Sequence, residues 1–128
     1  MASERALRVE ADGVRLYAVL ATGPTADAVW EALPLSGKAE VWGEEVYFNV
    51  PLRIPAEAGA RREVRAGEIG YWPEGPAIAL FFGRTPASTG DEPVAASPVN
   101  VFARLTGDAR RLARVRPGGV VTLTSIEG

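Results

Sequence analysis

Gly67-Glu68-Ile69-Gly70-Tyr71-Trp72-Pro73-Glu74-Gly75-Pro76-Ala77-Ile78-Ala79-Leu80-Phe81-Phe82-Gly83-Arg84-Thr85-Pro86 is the stretch on which the fold turns. Glu68 to Trp72 is a strand candidate, stopped by Pro73, which cannot donate to a sheet ladder. Glu74-Gly75-Pro76 has turn chemistry. Ala77 to Phe82 is an unbroken apolar run of strand length between Gly/Pro clusters, so a strand buried on both faces is favoured over a buried helix. Two buried strands joined by a tight turn predict a β-rich core.

Outward from that pair, the period of two recurs. Leu7 to Glu10 and Val14 to Leu20 flank Ala11-Asp12-Gly13, and Asp-Gly between two such runs is a strong hairpin signal. In the second run Val14, Leu16, Ala18 and Leu20 share one face. Lys38 to Val50 reads as another hairpin, centred on Gly43-Glu44-Glu45. Val99 to Leu105 alternates, and Val120 to Ile126 is a final strand after Pro117-Gly118-Gly119.

Two short helices interrupt the strands. Thr25 is placed to cap the first, with Asp27 in its first turn and Pro34 ending it. Asp108 caps the second, running from Ala109 to Val115. Gly83 to Pro98 is poor in apolar side chains and reads as a long loop of the kind that often carries function. The sum is a single, mainly β domain of about eight strands. So many strands in a small domain must manage their edges, and closure into a barrel removes them.

The 128 residues contain no cysteine and no histidine. Disulfides, thiolate nucleophiles and imidazole bases are thereby excluded, as is metal binding through Cys or His; neither metal nor cofactor is expected. A net charge of −2 gives no basic face for nucleic acid and no affinity for an anionic membrane. No apolar run is long enough for an export signal at Met1 to Arg8 or for a bilayer span, which places the chain in the cytoplasm. Self-association into a homo-oligomer is allowed by everything in the sequence.

The order of strands and helices resembles the cyclophilin fold, and Gly67 to Pro86 resembles the signature of a family of short prokaryotic cyclophilin-like proteins with no settled activity. Glu45-Val46-Tyr47-Phe48 and Ser97-Pro98-Val99-Asn100-Val101 match the same family, so the resemblance covers nearly the whole chain. It implies a closed, eight-stranded cyclophilin-like barrel with two short helices. Phe81-Phe82 looks like the paired phenylalanines that floor the cyclophilin proline pocket, with Phe82 in the pocket position. Where cyclophilins carry Phe-His-Arg, this chain reads Phe48-Asn49-Val50, so the donor that aids prolyl isomerisation is not matched; Arg84 and Arg53 are the substitutes available.

The resulting expectation is an aromatic-floored groove that binds a small molecule or an extended peptide. Tyr47 and Phe82 form its floor, Asn49, Arg84, Thr85 and Asn100 supply polar contacts, and the Gly83–Pro98 loop forms a wall. The first alternative is a weak peptidyl-prolyl cis-trans isomerase, since that reaction needs an apolar pocket and one aimed donor but no nucleophile. The second is a structural or oligomerisation module without a ligand. The adjacent carboxylates Glu44-Glu45 and Asp91-Glu92 read as solvated turn residues. Glu68 reads as partly buried against Arg65 or Arg84, and Arg61-Arg62-Arg65 as a charged loop facing water.

Overall fold

Asp12 and Gly13 both adopt positive φ, 46° and 77°, and so form the turn that matches the twist of two antiparallel strands. They join β1 (Ala6–Ala11) to β2 (Val14–Leu20), whose inward residues Val14, Leu16, Ala18 and Leu20 are all buried. This computed structural model describes residues 5–126; Met1 to Glu4, read above as no part of an export signal, lie outside the described residues.

Helix α1 (Pro24–Ala32) follows, with Pro24 at its first turn, where no N–H is needed. Gly23, not Thr25, is the N-cap, and no side chain caps it. Thr25 lies inside the first turn, buried, because its hydroxyl is drawn to Glu57. Val29 and Ala26 face the core.

The remaining strands are β3 (Leu35–Lys38), β4 (Glu40–Val41), β5 (Glu45–Asn49), β6 (Arg61–Glu63), β7 (Glu68–Trp72), β8 (Ala77–Phe81), β9 (Val94–Leu105) and β10 (Val120–Ile126). A 3-10 helix, Ala109–Arg114, lies between the last two, capped by the Asp108 carboxylate, which accepts from the Arg110 N–H at 3.0 Å. The described residues thus hold ten strands, not eight. The two that sequence patterning missed are short: Leu-Ser-Gly-Lys carries turn residues, and Arg-Arg-Glu is exposed throughout and shows no alternation.

The expected closure is also corrected. The hydrogen-bonded order runs β3-β10-β1-β2-β9-β7-β8-β5-β4, with β6 paired to β9 off this path, and among the described residues no ladder joins the two ends. The chain itself crosses the gap. Leu35–Lys38 pairs with β10, Ala39 is fully buried, and Glu40–Val41 pairs with β5. The ends also lean together: a Cβ on Gly37 would lie 3.0 Å from the Asn49 carbonyl oxygen and 3.2 Å from Cδ2 of Phe48. Glycine is what permits that approach.

The long loop is shorter than expected, because β9 starts at Val94 and runs through Pro98. Pairing with β6 jumps from Arg61↔Val99 to Glu63↔Val94, so β9 bulges between those points. Pro98 lies in this bulge, where a missing N–H costs no ladder bond.

Alternation along the strands separates two apolar clusters. Val46, Phe48, Ile69, Tyr71, Ile78, Leu80, Phe82 and Phe102 point inward into the main core. Ala79, Phe81, Val99 and Ala95 point outward and form a second cluster with Val64, which follows β6. Full burial of such a side chain contributes about 1.5–3 kcal/mol, so this second cluster holds the outer layer against the sheet. Among the described residues no helix is long and apolar enough to cross a membrane.

Candidate functional site

The outer cluster opens into a cavity. Strand β5 turns Glu45 and Tyr47 outward, while Val46 between them goes to the core. Tyr47 is paired with Ala79 on β8, whose methyl group leaves room above the sheet. Trp72, at the end of β7, meets Tyr47 edge to face, with ring centroids 6.2 Å apart and planes at 84°. Its indole N–H donates to the Ser97 hydroxyl of the β9 bulge, which fixes the ring. Trp42 from the β4–β5 turn and Ala95, Ala96 and Val99 from β9 complete the lining. The cavity volume is about 220 Å³. A dry cavity of ~150 Å³ accepts benzene, so a group of about one aromatic ring fits.

Glu45 is the unusual member. Its residue is only 6% exposed, and its Oε1 has no hydrogen-bond partner. Burial pushes its carboxyl up to about 7. The reading of Glu44-Glu45 as two solvated turn residues is therefore wrong for Glu45. The pair splits because Glu44 lies in the bend before β5, whereas Glu45 begins the strand and is buried. Glu44 turns toward Gly83, where its Oε1 accepts the Arg84 N–H at 3.1 Å.

The residues expected to form one groove do not all meet. Tyr47 lines this cavity, but Phe82 lies with Leu80 and Ile78 on the inner face of the sheet. A depression beside Leu105 and Ala109 is lined in part by Phe82. Parity explains the outcome: Phe81, not Phe82, shares the outer face with Ala79. Asn49 is exposed and donates to the Pro76 carbonyl at 3.3 Å. The Arg84 guanidinium donates to the Gly90 carbonyl, and the buried Thr85 hydroxyl donates to the Val94 carbonyl at 2.5 Å.

Asn100 is buried on the inner side as a tie. Its Nδ2 donates to Thr25 Oγ1 and to the Pro55 carbonyl, both at 3.0 Å, and its Oδ1 accepts the Glu57 N–H at 2.9 Å. Its polar atoms hold the Leu52–Glu57 segment to α1 instead of facing a ligand. The groove-wall expectation for Gly83–Pro98 reduces to Ala95 and Ala96. No group of three or more carboxylates that could hold a metal ion occurs among the described residues.

Trp42, Glu45, Ala95, Ala96 and Val99 were missed as site residues. A parity argument on Glu45-Val46-Tyr47 could have found Glu45, since Tyr47 was singled out and both lie on one face. Glu68 pairs with Arg61, at 3.2 and 3.0 Å, and accepts the Arg65 N–H at 2.7 Å, so the partner is neither side chain expected. Burial would raise its carboxyl, but these bonds outweigh it and hold the pKa below the ordinary value.

The mainly β chain with its two short helices has the fold class of a cyclophilin-like domain, with its sheet left open where a closed barrel is expected. The chain belongs to the Cyclophilin-like family, whose model matches residues 5–124. It is similar to a hypothetical protein from Archaeoglobus fulgidus, AF2241, known from a solution structure: 32% identity, 94% of each chain covered, TM-score 0.77. It shares its fold with McbB, solved in complex with tryptophan, at 16% identity and TM-score 0.65; the match covers 92% of this chain and 44% of McbB. No curated protein matches the chain.

Proposed function

We propose that this domain is a binding module that takes a small molecule, or one side chain of an extended peptide, in the cavity between Trp42, Tyr47 and Trp72. The observation that carries this reading is an aromatic cavity lined by the buried Glu45, whose Oε1 has no hydrogen-bond partner. A buried carboxyl without a partner costs about 1–3 kcal/mol or more. Folding alone gives no return for that cost, whereas a ligand that hydrogen-bonds the carboxyl does. Largely apolar walls with one aimed polar group are the usual make-up of a small-molecule site. Burial also gives Glu45 the near-neutral pKa that marks functional carboxyls.

Isomerase chemistry draws no support from the same geometry. Phe82 and Arg84 do not face a common groove, and the Arg84 guanidinium is engaged with its own loop.

The test is a fragment screen by ligand-observed NMR on the wild-type protein and on Ala95→Leu, which fills the cavity from its β9 wall. Fragments of about one ring should bind the wild type and be lost with Ala95→Leu while the fold is retained. Hits of equal strength on both proteins, or no hits at all, would overturn the reading.

A further inference from the structure

The cavity sets the charge of what it binds, an inference that rests on its being a binding site. Glu45 stands alone as the charged group of the lining. The titratable groups around it are engaged with other partners or exposed to solvent. Next to it in the chain, Glu44 lies in the bend before β5 and accepts the Arg84 N–H. On β4, Glu40 is paired across from Tyr47 and is exposed. On β6, Arg61 is held by Glu68, Arg62 donates its Nε to the Ala95 carbonyl at 3.1 Å, and Glu63 is exposed. Strand β8 contributes no titratable residue, and the β9 lining is Ala95, Ala96 and Val99. Among the described residues no Lys or Arg forms an ion pair with the carboxyl.

Around that carboxyl lie three aromatic side chains, Trp42, Tyr47 and Trp72. Their negative ring faces attract a cation, and most strongly where water is excluded. A metal ion is poorly served here, since hard cations take six or more oxygen ligands and this cavity offers one carboxylate. An anion would be repelled by the carboxylate and by the ring faces alike. A neutral ligand would leave the rings' electrostatic attraction unused.

We propose that the cavity binds an organic cation, a primary or substituted ammonium on an apolar body of about one ring, with Glu45 as its counter-ion and Trp42, Tyr47 and Trp72 as its aromatic wall. On binding below neutral pH the Glu45 carboxyl gives its proton to solvent, while the ammonium keeps its own and pairs with the carboxylate. The burial that holds the carboxyl near 7 is thereby offset by the ligand's charge.

The experiment is calorimetric titration of the full chain with three matched probes: phenethylamine, phenethyl alcohol and 3-phenylpropionate. At about pH 8 the amine should bind at least about tenfold tighter than the alcohol, and the acid should not bind. In Glu45→Gln most of the amine's advantage over the alcohol should be lost, while the affinity for the alcohol stays within about twofold. At about pH 6, runs in buffers of different ionisation enthalpy should show a proton released with the amine and none with the alcohol. Equal binding of amine and alcohol overturns the cation assignment, and a preference undiminished in Glu45→Gln overturns Glu45 as the counter-ion; either result leaves the binding reading standing. Failure of all three probes alongside fragment hits that Ala95→Leu abolishes has the same meaning. Failure of the probes and of the fragments together removes both.

Discussion

Tyr47 and Trp72 meet edge to face although a whole strand, β8, lies between theirs. Ala79 makes this contact possible. It is paired with Tyr47 on one side and with Gly70 on the other, so the sheet surface between the two rings is low. Aromatic pairs of this geometry contribute ~0.5–1.5 kcal/mol beyond their area, and here the pair also forms one wall of the cavity.

Ala79→Val should therefore strike the site first. Two added methyl groups reach the space above β8 and force the rings apart, at a cost of about 1–3 kcal/mol for overpacking. A lower urea midpoint and a loss of fragment binding are expected together. Retained binding with both rings in place would show that Ala79 does not set the cavity floor.

Glu45 should make the protein less stable as pH rises. Its carboxyl, ordinarily at 4.5, sits at about 7 in the folded state, so the folded form holds a proton that the unfolded form has lost between those values. Stability is full below about pH 4.5 and falls through this window by about 3 kcal/mol in total. Glu45→Gln cannot ionise, so it should remove that slope and be more stable than wild type at pH 8. Urea unfolding at pH 5 and pH 8 measures both arms. Parallel pH dependence in the two proteins would contradict the assignment.

Glu68 has the opposite sign. Its folded pKa is depressed, so its contribution is present above the ordinary carboxyl pKa and is lost as pH falls through the lower, folded value. Arg61→Ala leaves a carboxylate with an 8% exposed side chain short of its main partner. The expected loss is about 1–3 kcal/mol at neutral pH, shrinking in acid. A loss that is the same at pH 7 and pH 3 would rule out the ion pair as its source.

Asn100→Ala should destabilise without touching ligand affinity. Three bonds from one buried amide hold Glu57, Pro55 and Thr25, and their loss should cost about 2–3 kcal/mol. Thermal melting reports the cost, and titration of a bound fragment reports the affinity. A fall in affinity with stability unchanged would return Asn100 to the ligand site.

The strands that bury a face were legible, and those that do not were not. Ala77 to Phe81 and Val14 to Leu20 carry apolar residues wherever the core requires them, so pattern alone located them. Arg61–Glu63 pairs by its backbone and exposes every side chain, so no pattern exists to read. Leu35–Lys38 is a strand because Gly37 must pass close to Phe48 and Asn49, a tertiary demand that looks like turn chemistry in sequence.

The site was half legible. Tyr47 and Trp72 stand out as aromatics on strands, but the choice of Phe82 over Phe81 followed resemblance where parity gives the opposite face. Glu45 was obscured because a carboxylate beside a second carboxylate near a turn ordinarily faces water. Its burial depends on the bulged Ala95–Val99 stretch of β9, distant in sequence, which lines the same cavity.

The three indole N–H signals of Trp30, Trp42 and Trp72 give the most direct test of the cavity as the working surface. In a ¹H–¹⁵N spectrum with the tightest-binding fragment added to saturation, the Trp42 and Trp72 signals should move. That of Trp30, packed on α1 beside Arg5, should stay in place. Movement of Trp30 alone, or no movement of any of the three, would contradict the account.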